Sequence, residues 1–192
     1  MSTRGAKEVE IKFLVHSAAQ LAQALRDAGF TEKTTSTFES NTLYDNALGE
    51  LRRDGVVLRL RTYGDRYTLT HKSRGESARH KSRVELETTV GDADEAHNIL
   101  SALGFTPSFR YEKYRAEWTD GTGEVVLDRT PIGEVAEIEG PPEWIDRTAR
   151  IFGIKEADYI TSSYTDLFFQ WKQRTGSPAC NMTFEECGTP RP

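Results

Sequence analysis

Apolar and polar residues alternate along several runs of this chain, and a period of two is the pattern of a strand. The first run, residues 8–15, puts Glu8, Glu10 and Lys12 on one face and Val9, Ile11, Phe13 and Val15 on the other. The same pattern predicts strands over 56–62 and 83–90; a turn at Gly64-Asp65 leads into a strand over 67–72, and strands are also expected over 41–44, 109–118, 124–128 and 135–139. Residues 74–82 are polar and break it. Helical periodicity appears behind two capping signals. Ser17 with Gln20 opens a stripe of Leu21, Ala22, Leu25 and Ala28 that Gly29 ends; Asp92 with Glu95 opens Ala96, Ile99, Leu100 and Leu103, ended by Gly104. Further helical segments are predicted over 143–152 and 163–172. The strand–helix–glycine order occurs twice, about 77 residues apart, which suggests two similar halves closing one sheet.

The polar faces of these strands are ionic, and each tends to one sign. Glu8 and Glu10, and Glu137 and Glu139, are acidic pairs spaced i, i+2; Arg59 and Arg61, and Lys113 and Arg115, are basic pairs at the same spacing. That spacing places both members of a pair on one face, where like charges repel. One such pair is an ordinary solvated strand face. Four on separate strands call for ions of opposite sign between them. Carboxylates from two strands suit a hard divalent cation such as Mg²⁺ or Mn²⁺, and paired cations suit a polyphosphate. The faces together describe a metal-plus-polyphosphate site inside a sheet or barrel, with apolar strand faces and helices packed outside it.

Composition narrows the setting. The 192 residues carry 25 Lys+Arg against 30 Asp+Glu, a net charge of −5, so no whole-molecule basic footprint for nucleic acid is present. No apolar run approaches a membrane span, residues 1–7 lack the apolar stretch of a leader, and Cys180 and Cys187 form no disulfide framework. A cytoplasmic protein is the default expectation. Residues 1–175 read as one catalytic domain and 176–192 as an irregular, dispensable tail. The basic run 79–83 reads as a solvated loop over the mouth of the site, and the three tryptophans as packing residues.

In this order the motifs resemble the CYTH proteins, also called triphosphate tunnel metalloenzymes. Glu8-x-Glu10-x-Lys12 is similar to the family's opening signature, and Arg59-x-Arg61 to its next strand. Lys72, Arg83-x-Glu85 and Lys113-x-Arg115 follow in order, then Asp128, Glu137-x-Glu139 and Ser163-Tyr164-x-x-Leu167. The resemblance spans about residues 6–172. It implies an α+β fold, mainly antiparallel β: an eight-stranded tunnel-like barrel with a charged interior and helices outside. It implies Mg²⁺ or Mn²⁺ on Glu8, Glu10, Glu137 and Glu139 with Asp128 nearby. It implies triphosphate held by Lys12, Arg59, Arg61, Lys72, Lys113 and Arg115, with Lys12, Arg83 and Glu85 among the catalytic residues. The substrates implied are inorganic triphosphate, ATP or thiamine triphosphate. No residue visibly reads adenine, so hydrolysis of a phosphoanhydride is the expectation. Cyclisation of ATP, as in class IV adenylyl cyclases, is the alternative, and a non-catalytic polyphosphate module comes last. A homodimer is left open.

Overall fold

A computed structural model describes residues 6–192; Met1 to Gly5, part of the segment read as free of a leader, lie outside the described residues. The elements in chain order are β1 (Ala6–Val15), α1 (Ala18–Asp27), β2 (Thr31–Asn46), α2 (Glu50–Arg53), β3 (Val57–Tyr63), β4 (Arg66–Lys72) and β5 (Glu76–Ser77). They continue with β6 (Lys81–Val90), α3 (Ala93–Ala102), β7 (Phe105–Thr119), β8 (Glu124–Thr130), β9 (Gly133–Glu139), α4 (Pro142–Ile151) and α5 (Tyr164–Thr175). The strands are ordered β1-β9-β8-β7-β2-β3-β4-β6, and β1 pairs with β6, so eight antiparallel strands close on themselves; the two-residue β5 hangs on β6. Closure leaves no long open edge.

The internal echo is borne out as topology. Exchanging β1 with β6, β2 with β7, β3 with β8 and β4 with β9 maps the strand order onto itself. The two halves meet at two seams. At one, Glu8 stands opposite Arg83 and Glu10 opposite Lys81; at the other, Glu39 stands opposite Lys113. The caps are those the sequence predicts. Ser17 accepts from the Gln20 N–H, and Asp92 from the N–H groups of Asp94 and Glu95. Gly29 and Gly104, at φ +88° and +87°, turn the chain out of α1 and α3 in the left-handed region that a side chain would strain.

Two apolar clusters lie outside the barrel. The larger joins Ile11, Phe13, Val125, Leu127, Ala136 and Ile138 to Leu25 of α1 and to Trp144, Ile145 and Ala149 of α4. The smaller joins Leu60 and Tyr44 to Ala96 and Leu100 of α3. A third closes one end of the barrel. Inward-facing Phe109, Tyr111 and Val135 pack there against Tyr164 and Phe168 of α5 and against Ala179 and Met182. Thus α1, α3 and α4 pack outside, whereas α5 caps an end.

Three sequence expectations change. The strand expected over 41–44 is the sixteen-residue β2, whose Thr/Ser-rich first half is strand because it pairs with β7 along its length. The pattern-breaking stretch 74–82 contains β5 and the first residues of β6, and the basic run 79–83, expected as a solvated loop, enters β6 at Lys81. The tail over 176–192 has no helix or strand, as expected, but it is not loosely attached. Met182 is fully buried, exchanges backbone hydrogen bonds with Arg110 and Glu112 of β7, and is followed by buried Phe184. It occupies the β7 edge beyond the last β8 pairing at Tyr114.

Candidate active site

Alternation along β1 and β9 points Glu8, Glu10, Lys12, Glu137 and Glu139 into the barrel. The register sets Glu10 beside Glu139 and Lys12 beside Glu137. This acidic arc continues to Asp128 on β8. Lys12 sits inside it, 2.7 Å from Glu10 and 3.1 Å from Glu137, and these two carboxylates hold its ammonium well above the usual lysine range despite burial. Burial alone would raise the Glu8 carboxyl, but Lys72 and Arg83 outweigh it and hold it at about 2. Burial likewise opposes ionisation of Glu137, and Lys12 and Arg115 overcome it and keep the carboxylate charged. Glu139 behaves oppositely. Burial, then the like charges of Glu8, Glu137 and Glu10, push it up to about 7.

The basic arc faces it from β3, β4 and β6. Arg59 is buried. Its guanidinium donates to Tyr111 and Thr70 at 3.3 Å and reaches Glu87 at 3.4 Å; its Nε has no hydrogen-bond partner among the described residues. Arg61 donates to Glu87 at 3.1 Å and to Thr68 at 3.2 Å. Lys72 bridges Glu8 and Glu85, both at 2.8 Å, and Arg83 donates to Glu8 at 2.9 Å. Lys113 and Arg115 enter from β7. Both bind Asp128, and Arg115 also donates to Glu137 at 2.7 Å. Every residue predicted from the sequence for metal, triphosphate or catalysis therefore faces one cavity or its floor. The cavity measures about 1290 Å³.

The environment of Asp128 differs from that of the other acids. It is fully buried, and Lys113, Arg115 and the Tyr164 hydroxyl all donate to it. It braces the Lys113–Arg115 pair from below. Sequence reasoning missed four interior groups. Glu39, fully buried on β2, accepts from Asn41 at 2.8 Å; burial would raise it, but Lys113 and Arg115 lead the cations that hold it at about 2. Asn41 lies on the same face. Glu87 anchors both arginines of β3, and Lys81 lines the cavity opposite Glu10. The parity of Glu87 and Lys81 with Arg83 was a usable signal; for Glu39 there was none until the length of β2 was known, and the expected strand over 41–44 did not alternate, so it left the face of Asn41 open.

Among the described residues no three His, Cys, Asp or Glu side chains form a ready-made metal cage, because lysines and arginines already engage the carboxylates. The donor set still fits a hard divalent cation. It is all carboxylate oxygen; Glu10 Oε1 is buried without a hydrogen-bond partner among the described residues, and Glu139 is raised by burial and by three like charges that a cation would offset.

The CYTH-domain family model matches residues 6–164. A candidate adenylate cyclase of Methanocaldococcus jannaschii is 23% identical over 171 residues, which cover 83% of this chain and 97% of that one. Among solved structures, a candidate adenylate cyclase from Vibrio parahaemolyticus aligns with a TM-score of 0.76 at 22% identity, over 86% of this chain and 99% of the other. A Hippeastrum protein, named as a candidate adenylyl cyclase with a dominant triphosphatase activity, aligns with a TM-score of 0.64 at 20% identity, over 85% and 95%. At these identities the structural matches speak for the fold. Among the described residues no helix is long and apolar enough to cross a membrane.

Proposed function

This chain belongs to the CYTH family, whose members act on triphosphates, and from that premise we propose that it is a divalent-metal-dependent triphosphatase. The observation that carries the reading is the convergence of Lys12, Arg59, Arg61, Lys72, Lys113 and Arg115 on one cavity whose opposite wall is carboxylate. Six cations, each paired with carboxylates in the free protein, match a chain of phosphoryl groups, each with several acceptor oxygens. The arginines are held by Thr68, Thr70, Tyr111 and Glu87, so their donors are oriented before the substrate arrives.

Glu8, Glu10, Glu137 and Glu139 would hold Mg²⁺ or Mn²⁺. Such an ion, when bound, polarises the attacking oxygen and offsets charge on the phosphates. The basic arc grips the triphosphate and aligns its terminal phosphorus. Asp128 and Glu39 hold Lys113 and Arg115 in place. Water oxygen bonds to the terminal phosphorus, the bridging P–O bond breaks, and inorganic triphosphate yields orthophosphate and pyrophosphate. The dominant triphosphatase activity in the name of the Hippeastrum protein supports this choice.

One observation favours a second reading. A cavity of about 1290 Å³ exceeds the roughly 300–1,000 Å³ of ordinary ligand pockets and has room for a nucleoside beside three phosphates. In that reading ATP is cyclised to cyclic AMP and pyrophosphate, in line with the cyclase names of the relatives. Product analysis separates the two. With Mg²⁺ or Mn²⁺, the triphosphatase reading expects inorganic triphosphate to be cleaved and ATP to give ADP and phosphate. Cyclic AMP as the main product, with inorganic triphosphate untouched, overturns it, because inorganic triphosphate offers no 3′-hydroxyl to a cyclase.

A further inference from the structure

We propose that Asp146 of α4, on the outside of the barrel, is a positioning residue for the reaction: it clasps together the two chain segments that cover one edge of β1, and so fixes the strand that carries Glu8, Glu10 and Lys12. The proposal rests on the triphosphate reading and adds to it a residue that touches no substrate.

On one side β1 is paired with β9. On the other, among the described residues, it is paired with β6 from Ala6 to Glu10, and β6 begins at Lys81, opposite Glu10. Past that point a different piece of chain covers the edge. Lys12 and Ile160 exchange backbone hydrogen bonds at 2.9 and 2.8 Å, in an antiparallel bridge outside the named strands. The barrel is thus shut along this edge by two pieces remote in sequence, the start of β6 and the segment around Ile160. Strand pairing alone holds neither firmly, since the β5 that precedes β6 has two residues and Ile160 makes a single bridge.

Asp146 joins the two pieces. His80, one residue before β6, places Nε2 2.9 Å from Oδ1, and the Arg79 guanidinium lies 3.2 Å from Oδ2. A carboxylate only accepts, so both side chains donate. The hydroxyl of Tyr159, one residue before Ile160, donates to Oδ1 at 3.3 Å. Arg79 adds a second tie, 3.4 Å to Glu156 in the 3₁₀ turn that precedes Tyr159. Donors from both segments therefore meet on one carboxylate. That carboxylate is itself anchored, because α4 packs Trp144, Ile145 and Ala149 into the cluster of Ile11, Phe13, Ala136 and Ile138. Asp146 lines an outer groove with Arg79 and Tyr159, separate from the charged cavity. Its influence on the reaction runs through the backbone of β1, and a misplacement of about 1 Å at a reacting group costs roughly a hundredfold in rate.

The test pairs two readouts on the full chain: amide hydrogen exchange of the protein alone, and kcat for cleavage of inorganic triphosphate with saturating Mg²⁺, at a temperature where circular dichroism shows the variants folded. In Asp146→Ala the Lys12 and Ile160 amides should exchange at least about tenfold faster while those of β8 are unchanged, and kcat should fall about tenfold. Asp146→Asn, which keeps the shape and one accepting oxygen, should lose less on both. Faster exchange with unchanged kcat overturns the proposal, since Asp146 would then only stabilise the fold. A fall in kcat without faster exchange at Lys12 and Ile160 overturns it too. Both results leave the triphosphate reading standing, whereas wild-type protein that cleaves no triphosphate overturns that reading and this proposal with it. Should Asp146→Ala fail to fold, Tyr159→Phe, which removes one donor and keeps the ring, carries the same pair of expectations at about fivefold.

Discussion

The acidic arc β1-β9-β8 and the basic arc β6-β4-β3 are the same three strands of the repeated unit, exchanged by the symmetry of the strand order, yet they carry opposite charge. Glu8 faces Arg83 and Glu10 faces Lys81 across the seam between β1 and β6; Glu137 and Glu139 lie on the strand that corresponds to that of Lys72, and Asp128 on the one that corresponds to that of Arg59 and Arg61. A symmetric backbone with inverted charge sets an anionic wall across from a cationic one, which a metal–phosphate complex needs and a strictly repeated sequence could not supply. The outer faces differ as well. Behind the acidic arc lie α1 and α4 and the larger apolar cluster, with Ile11, Ala136, Ile138, Ile145 and Ala149 fully buried. Behind the basic arc lies α3 alone, and Val84 and Leu86 of β6 remain 45% and 46% exposed. The firmer packing stands behind the wall that includes Glu139, which burial and its like-charged neighbours push up to about 7.

If the arcs divide the work as proposed, the largest effect belongs to the acidic one. Glu137→Gln removes one charge while keeping shape, and metal-dependent phosphate release should fall by at least about a hundredfold, since metal stabilisation amounts to several kcal/mol. A Mg²⁺ titration of inorganic triphosphate cleavage measures this. Activity within tenfold of wild type would break the assignment of metal to this wall.

Packing comes next. Trp144 is 2% exposed against β8 and β9, and Trp144→Ala should cost about 3–5 kcal/mol, seen as a large fall in thermal midpoint. A fall of only a degree or two would mean that α4 is not what stiffens the acidic arc. Met182, buried at the β7 edge beyond the end of β8, is the comparable test for the closed end. Met182→Ala should lose about 2–5 kcal/mol, and deleting residues 176–192 should lose more. An unchanged melt after deletion would restore the dispensable tail that its lack of periodicity suggested.

The basic arc should read phosphate and not base. Arg59→Ala should weaken inorganic triphosphate and ATP by a similar factor, corresponding to roughly 1.5–3 kcal/mol. A loss confined to ATP would turn Arg59 into a base-recognising group and strengthen the cyclase reading. Smallest of all is Val84→Ser on the half-exposed outer face of β6, expected within about 0.5 kcal/mol of wild type by thermal melt. A marked destabilisation would show that this face is covered in solution.

Much of this protein was determined by sequence alone. Period-two alternation marked β1, β3 and β6 and their inward faces, because a side chain one residue along must point the other way. The capping residues marked α1 and α3. The like-charged pairs marked the site, because charges that repel on a solvated face imply something between them. Tertiary structure decided the rest, wherever the deciding partner is remote in sequence. The Thr/Ser-rich start of β2 is strand only because β7 lies beside it, and that pairing is what brings Glu39 and Asn41 inside. Asp128 lies beneath Lys113 and Arg115 through register between strands, and Tyr164 reaches it from a helix 36 residues further along. The tail is ordered because β8 ends before β7 does, leaving backbone groups and an apolar surface for Met182 to cover. Local pattern reports what a residue prefers; which backbone edge or which buried charge is left to be satisfied is settled only when distant strands meet.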